Sequence, residues 1–257
     1  MSCKYTNVLT GDNMNPYIPS KKPRCVIIDY RASEEILNYL KKINIEPIKT
    51  IKCSELHEPV DGHPDMVIHP INFETFVTAP NVYDYYRNVL GSFGIKVIKG
   101  GKTLSRNYPE DIAYNVARIG RYAFHNTKHT DQVLKYYLEE AGIEFIHVNQ
   151  GYTKCSIAPV SENKALTSDF LIHEKLMSYN IDCMYIDSKV VYLKGYNNGF
   201  IGGSLGLIND KLFLSTGKIF DKNISVSLRK FIQSAGYIYD EATKKQITDL
   251  GTLIPII

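Results

Sequence analysis

Apolar positions along this chain follow two spacings, and one gives way to the other five times at the same kind of junction. Stretches with apolar residues at helical spacing end in Gly or Asn, and a short strand-like run follows at once. The junctions read KKINIEPIK, GSFGIKVIK, EEAGIEFIHV, MSYNIDCMYI and QSAGYIYDE, with Ile45, Ile95, Ile143, Ile181 and Tyr237 starting the strands. Gly and Asn tolerate the left-handed backbone that stops a helix, which explains their place there. Two further strand-like runs precede four of the helices. They are DMVIHPIN and TFVTAP before NVYDYYRNVLGSFG, and IAYNVA and RYAFHN before KHTDQVLKYYLEEAG. Then come CSIAPV and ALTSD before FLIHEKLMSYN, and SLGLIND and KLFLSTG before ISVSLRKFIQSAG. Thr167–Asp169 and Ser215–Thr216 stand where helix N-caps are wanted. The first unit, CVIIDY then EEILNYLKK, has a single strand ahead of its helix, and the C-terminal GTLIPII is the candidate for the missing one.

The strand starts lie 50, 48, 38 and 56 residues apart, too loose for a solenoid but consistent with five strand–strand–helix–strand units closed in a ring. The competing architecture is an ordinary alternating α/β protein. The ring reading gives one domain over residues 24–257 and an N-terminal extension over residues 1–23. With 257 residues, 44% hydrophobic and 22% charged, the chain can bury a core of that size. Its 30 basic and 27 acidic residues, net +3, are spread without blocks, so no nucleic-acid partner is expected. No apolar run approaches membrane-spanning length, and the opening residues lack a charged-then-apolar pattern, so no signal peptide is expected. Cys3, Cys25, Cys53, Cys155 and Cys183 are odd in number and form no CxxC pair, which argues against a disulfide framework and a zinc knuckle. A reduced, cytoplasmic setting is the expectation. With no GxxxxGKS loop and no GxGxxG after a strand, no cofactor is expected. Oligomer formation stays open.

Candidate chemistry concentrates in GHPDMVIHP, residues 62–70. Read as a strand, it puts His63 and His69 roughly 20 Å apart, too far for one metal ion, so no metal site is expected. His63 and Asp65, about 7 Å apart on one strand face, can share a channel. His69 reads as a core or interface histidine. The strand starts HPDMVI, YPEDIA, YTKCSI and GGSLGL stack so that His63, Tyr108, Tyr152 and Gly202 are equivalent, as are Asp65, Glu110, Lys154 and Ser204. In this register Cys155 is near the channel but faces away from Tyr152 and Lys154. Asp65, Glu110 and Asp111 are carboxylates suited to the planar, bidentate pairing a guanidinium favours. Asn197, Asn198 and Gly199 form a turn, and Gly202 and Gly203 allow close backbone approach.

The five-unit pattern resembles the pentein fold of the guanidino-group-modifying enzymes, a superfamily with arginine and agmatine deiminases, dimethylarginine hydrolases and amidinotransferases. The resemblance covers about residues 24–257 and implies a five-bladed α/β propeller of ββαβ repeats with pseudo-five-fold symmetry. It also implies a central channel where a cysteine attacks the guanidinium carbon, a histidine moves protons and carboxylates grip the cation. The family's fourth-repeat H-x-D/E falls on Tyr152 and Lys154. Its fifth-repeat cysteine falls on Gly206 or neighbouring Leu205, within NNGFIGGSLGLI. Its third-repeat E-G-G-D resembles YPED and maps the aspartate onto Asp111. The usual cysteine and histidine are therefore absent from their places. On this reading His63, Asp65, Asp111 and Cys155 are the candidate catalytic residues. Glu110, Tyr152, Lys154, Asn198 and Ser204 are candidate contacts to a small cationic guanidine or amine. The alternative is a non-catalytic pentein acting as a binding module, as the ribosomal anti-association factor of this fold does.

Overall fold

The computed structural model describes residues 15–257. The first fourteen residues, and with them Cys3 and most of the expected N-terminal extension, lie outside the described part. Five three-stranded sheets repeat one plan, in which a middle strand pairs antiparallel with a first strand and parallel with a third. The first unit holds β1 (Cys25–Ile28), α1 (Glu34–Lys42) and β2 (Glu46–Lys49). The second runs through α2 (Pro64–Val67), β3 (Ile68–Pro70), β4 (Thr75–Thr78), α3 (Tyr83–Gly91) and β5 (Lys96–Lys99). The third has β6 (Ala117–Ile119), β7 (Tyr122–His125), α4 (Gln132–Glu140) and β8 (Glu144–His147). The fourth has α5 (Thr153–Ser156), β9 (Ile157–Ser161), β10 (Lys164–Thr167), α6 (Phe170–Ser178) and β11 (Asp182–Tyr185). The fifth has β12 (Leu205–Leu207), β13 (Leu212–Ser215), α7 (Lys222–Ser234) and β14 (Ile238–Glu241). The chain ends in β15 (Ile254–Ile256), which pairs with β1 and completes the first unit, as the missing strand required.

The helix exits follow the junction chemistry. Asn44, Gly94, Gly142, Asn180 and Gly236 all have positive φ, from 56° to 88°, one at each of the five helix-to-strand turns. Asp169 caps α6 as expected, whereas α7 is capped by Asp221 rather than by Ser215–Thr216. Ser215 instead turns its hydroxyl to the Gly217 carbonyl.

The cores lie between neighbouring units. Ala117 and Phe124 pack with Ile157 and Ile172, Leu166 with Phe213 and Leu228, and Ile28 with Leu214. A circle of hydrogen bonds ties the inner ends together. Asp65 N–H donates to Gly251 O, Thr252 N–H to Gly203 O, and the Lys154 ammonium to Gly202 O. Lys154 N–H donates to the Asn115 side chain, whose amide donates to Asp65 O. Each step crosses from one unit to the next, and the last returns to the first.

Tyr17, 4% exposed, packs into the same interior with its ring 4.9 Å from the Lys154 ammonium. Burial pushes its phenol well up.

Candidate active site

The inner strand starts are not strands. Residues 64–67 and 153–156 each form one helical turn, and Ile201–Gly203 form a 3-10 turn in the equivalent place. Pro64 suits such a turn, because the first helical residue needs no N–H partner and proline presets its φ. This overturns the period-2 placement. In a helical turn residues i and i+3 share a side, so Tyr152 and Cys155 face the same cavity while Lys154 points into the ring interior. Strand pairing also corrects the stacking. Ile68 opposes Thr78, Ile157 opposes Thr167 and Leu205 opposes Ser215, which aligns His63 and Tyr152 with Phe200 instead of Gly202.

His63, Asp65 and Cys155 converge: each offers one donor atom, and these atoms all lie within 4.8 Å of one another, fully buried. His63 lies between two further carboxylates, with Nε2 3.8 Å from Asp29 and Nδ1 3.8 Å from Asp249. Asp29 is held in turn by Arg31, which donates from Nε at 2.9 Å. Asp249 accepts from the backbone N–H of Gly251 at 3.0 Å and of Phe200 at 2.9 Å. The close approach needs glycine: a Cβ on Gly203 would sit 1.9 Å from the Asp249 carboxylate, and one on Gly251 would sit 2.3 Å from His63 Cβ.

Asn115 organises the other side. Its amide donates to the Cys155 thiol at 3.0 Å, and its carbonyl accepts from the backbone of Lys154 at 2.8 Å and Cys155 at 3.2 Å. The Lys154 ammonium is spent internally, donating to Thr252 Oγ1 at 2.7 Å and to the Gly202 and Ile157 carbonyls.

Electrostatics follow from burial and the number of acids. Loss of solvent pushes the Asp65 carboxyl up to about 6, against the pull of His63 and Lys154. Burial, with Asp65 and Asp249 nearby, pushes the Cys155 thiol well up. Burial lowers Lys154, opposed by those same acids. Burial and the neighbouring acids thus favour a neutral thiol, and a cation beside it would relieve the penalty on the thiolate.

A cavity of about 350 Å³ opens onto the cluster. His63, Cys155 and Asp249 line it, with Tyr152 and Phe200 stacked at 6.4 Å forming one wall and Val60 and Leu193 another. Asn197 and Asn198 lie at its edge, the Asn198 amide donating to Ser188.

The remaining candidates separate. Asp111 accepts a 2.6 Å bond from the Tyr152 hydroxyl, so it acts on the wall behind the cavity. Glu110 is exposed, Ser204 is buried and bonded to the Phe200 carbonyl, and neither these two nor Lys154 line the cavity. His69 is buried edge-on to Tyr17, its imidazole pushed down to about 3 by burial and by Arg118, and it takes no part in the cluster. Asp29, Asn115 and Asp249 were not singled out from the sequence. The signal for Asp249 was positional: DLGTLIPII is the first unit's counterpart of HPDMVIHP, and its aspartate opens the turn before the inner strand.

Among the described residues no helix is long and apolar enough to cross a membrane. A family model described as "Family of unknown function (DUF6873)" matches residues 27–254. No curated protein matches. Among solved structures, an amidinotransferase of the saxitoxin pathway from Microseira wollei is similar at 12% identity, covering 96% of this chain and 97% of that one, with a TM-score of 0.58. The agmatine deiminase of C. jejuni is similar at 11% identity over 88% and 89% of the two chains, TM-score 0.55. The inosamine-phosphate amidinotransferase of Streptomyces griseus is similar at 11% identity over 93% and 95%, TM-score 0.53. These likenesses establish the pentein fold of five repeated units.

Proposed function

We propose a reaction for this chain, which belongs to the DUF6873 family: Cys155-dependent substitution at the central carbon of a small guanidine or amidine cation. The observation that carries it is the convergence of His63, Asp65 and Cys155, of which His63 and Cys155 line an aromatic-walled cavity. The similar folds named above belong to enzymes whose names state amidino transfer or agmatine deimination, which supports the substrate class.

The cation enters between Tyr152 and Phe200 and is held by Asp249, whose carboxylate matches its planar donors, while the buried Asp65 adds its charge from beside Cys155. Its charge offsets the two acids that disfavour the thiolate. His63 takes the thiol proton, and Asp29 and Asp249 stabilise the imidazolium. The sulfur attacks the planar carbon, a C–S bond forms, and His63 returns the proton to the departing amine as the C–N bond breaks. Water then attacks the amidino-thioether carbon as His63 takes one of its protons; the C–S bond breaks, His63 returns that proton to the sulfur, and the second water proton leaves with the released ammonia or amine, giving a ureido or amide product. An incoming amine at that step gives amidino transfer instead.

The test is ammonia or amine release from agmatine, arginine and simple guanidines, with intact-mass detection of an adduct on Cys155. Cys155→Ser should abolish turnover while still binding the cation. Turnover that survives in Cys155→Ser would overturn the reading. No binding and no turnover with any of these cations would favour a non-catalytic pentein.

A further inference from the structure

The same cluster has a property that nucleophilic chemistry does not use. Both nitrogens of His63 and both oxygens of Asp65 make no well-formed hydrogen bond among the described residues, although both side chains are 1% exposed and the Cys155 thiol lies beside the Asp65 carboxyl. Buried polar atoms are usually satisfied, and a set left open in common points to a missing ligand. We propose that His63, Asp65 and Cys155 form a three-donor site for a thiophilic divalent cation, with zinc the natural occupant.

The donor set decides the class. A thiolate, an imidazole and a carboxylate suit zinc or cobalt, whereas magnesium and calcium take oxygen donors. Two negative donors balance the ion's charge. Donors around a tetrahedral zinc lie about 3.5 Å apart, so the present 4.8 Å ceiling leaves about an ångström to close. Either imidazole nitrogen has a carboxylate 3.8 Å away, so whichever nitrogen binds the metal, the other faces Asp29 or Asp249. That carboxylate–histidine pairing commonly orients histidine ligands. His63 and Cys155 both line the cavity, so the fourth position opens onto it. The strand reading had excluded a metal between His63 and His69; the helical turn at residues 64–67 instead brings Asp65 and Cys155 to His63.

A metal that shares the thiolate's lone pairs lowers its reactivity toward carbon and occupies the space a substrate carbon would need. Metal occupancy and the thiol chemistry proposed above therefore compete for one site, although the metal proposal does not depend on that chemistry. Loading the site slows alkylation of Cys155, and a cationic substrate and the metal compete.

The experiment is titration of cobalt(II) into the full, reduced, metal-free chain. The expected result is a near-ultraviolet thiolate-to-cobalt charge-transfer band with the visible bands of a four-coordinate ion, both lost on addition of zinc. Cys155→Ser should remove the charge-transfer band, and Asp65→Asn and His63→Asn should each weaken affinity at least tenfold. Cys53→Ser and Cys183→Ser should leave the spectrum unchanged. In the parent chain, zinc should slow iodoacetamide labelling of Cys155 at least tenfold, as read by peptide mass, which serves even if Cys155→Ser fails to fold. Absence of the bands, their survival in Cys155→Ser, or unprotected labelling would each overturn the site. Cobalt binding without guanidine turnover would leave the metal site standing and remove the enzymatic reading; turnover without cobalt binding would do the reverse.

Discussion

At the scale of residues, Asp65 is a carboxyl held where its charge is unwelcome. Its folded-state value of about 6 stands above the ordinary 3.8, so the folded chain binds a proton there more tightly than the unfolded chain does. Between those two values stability from this group is lost as pH rises, and above about 6 the loss is complete. Asp65→Asn, which mimics the protonated form, should therefore stabilise the protein at pH 7 by up to about 3 kcal/mol and do nothing below pH 4. Denaturant melts at pH 4 and pH 7 check this; equal effects at both would show that Asp65 is not strained by burial. His69 and His125 carry the opposite sign. Both are pushed down to about 3 by burial, so their contribution is present above the ordinary 6.5 and is lost as pH falls through that window. His125 bonds Thr130 and the Gly151 carbonyl. His125→Gln should shallow the acid limb of the stability curve between pH 6 and 4. An unchanged limb would refute the assignment. The sequence exposed His63, Asp65 and Cys155 as candidates because their residue types are few near the strand starts. It misplaced the face of Cys155 because a four-residue helical turn carries too few positions for periodicity to show.

At the scale of elements, the helix exits were legible and the inner turns were not. An exit leaves a chemical mark, Gly or Asn at positive φ, wherever a helix must stop against a following strand. The turns at 64–67 and 153–156 leave none beyond Pro64, and their apolar residues read equally well as strand. The α3 exit gives a discriminating pair of substitutions. Gly91 is the last helical residue and has open space around its missing Cβ, so Gly91→Ala should stabilise by roughly 0.5–1 kcal/mol. Gly94, three residues on, has equal space but a φ of 79°, so Gly94→Ala should destabilise by about 1 kcal/mol. Chemical denaturation measures both, and two changes of the same sign would sink the account. The stacking of repeats failed for a related reason. Insertions before each inner strand differ in length, and only the strand pairing, Ile68 with Thr78 and Leu205 with Ser215, sets the true register.

At the scale of the whole molecule, the ring and its site depend on the same short C-terminal segment. Strand β15 supplies the first unit's inner strand, with Ile254 fully buried between β1 and the central core. Gly251 accepts from Asp65 in the second unit, and Thr252 donates to Gly203 in the fifth, so the segment joins both neighbours of the seam. Thr252 also accepts from Lys154, and Asp249 just ahead of it flanks His63. Ile254→Ala removes buried apolar volume at one point and should cost about 2–5 kcal/mol, lowering the melting temperature by several degrees while leaving the cavity lining in place. Deleting residues 251–257 removes a strand, two interfaces of the hydrogen-bond circle and a partner of Lys154 together. Because neighbouring units share their cores, the loss should spread beyond the seam. The expected outcome is a melting temperature far below that of Ile254→Ala, with faster alkylation of Cys155 as the floor of the site opens. Differential scanning calorimetry with timed iodoacetamide labelling reads both quantities on the same samples. A truncated chain that melts like Ile254→Ala and keeps Cys155 equally protected would mean that the four remaining units hold the site without closure.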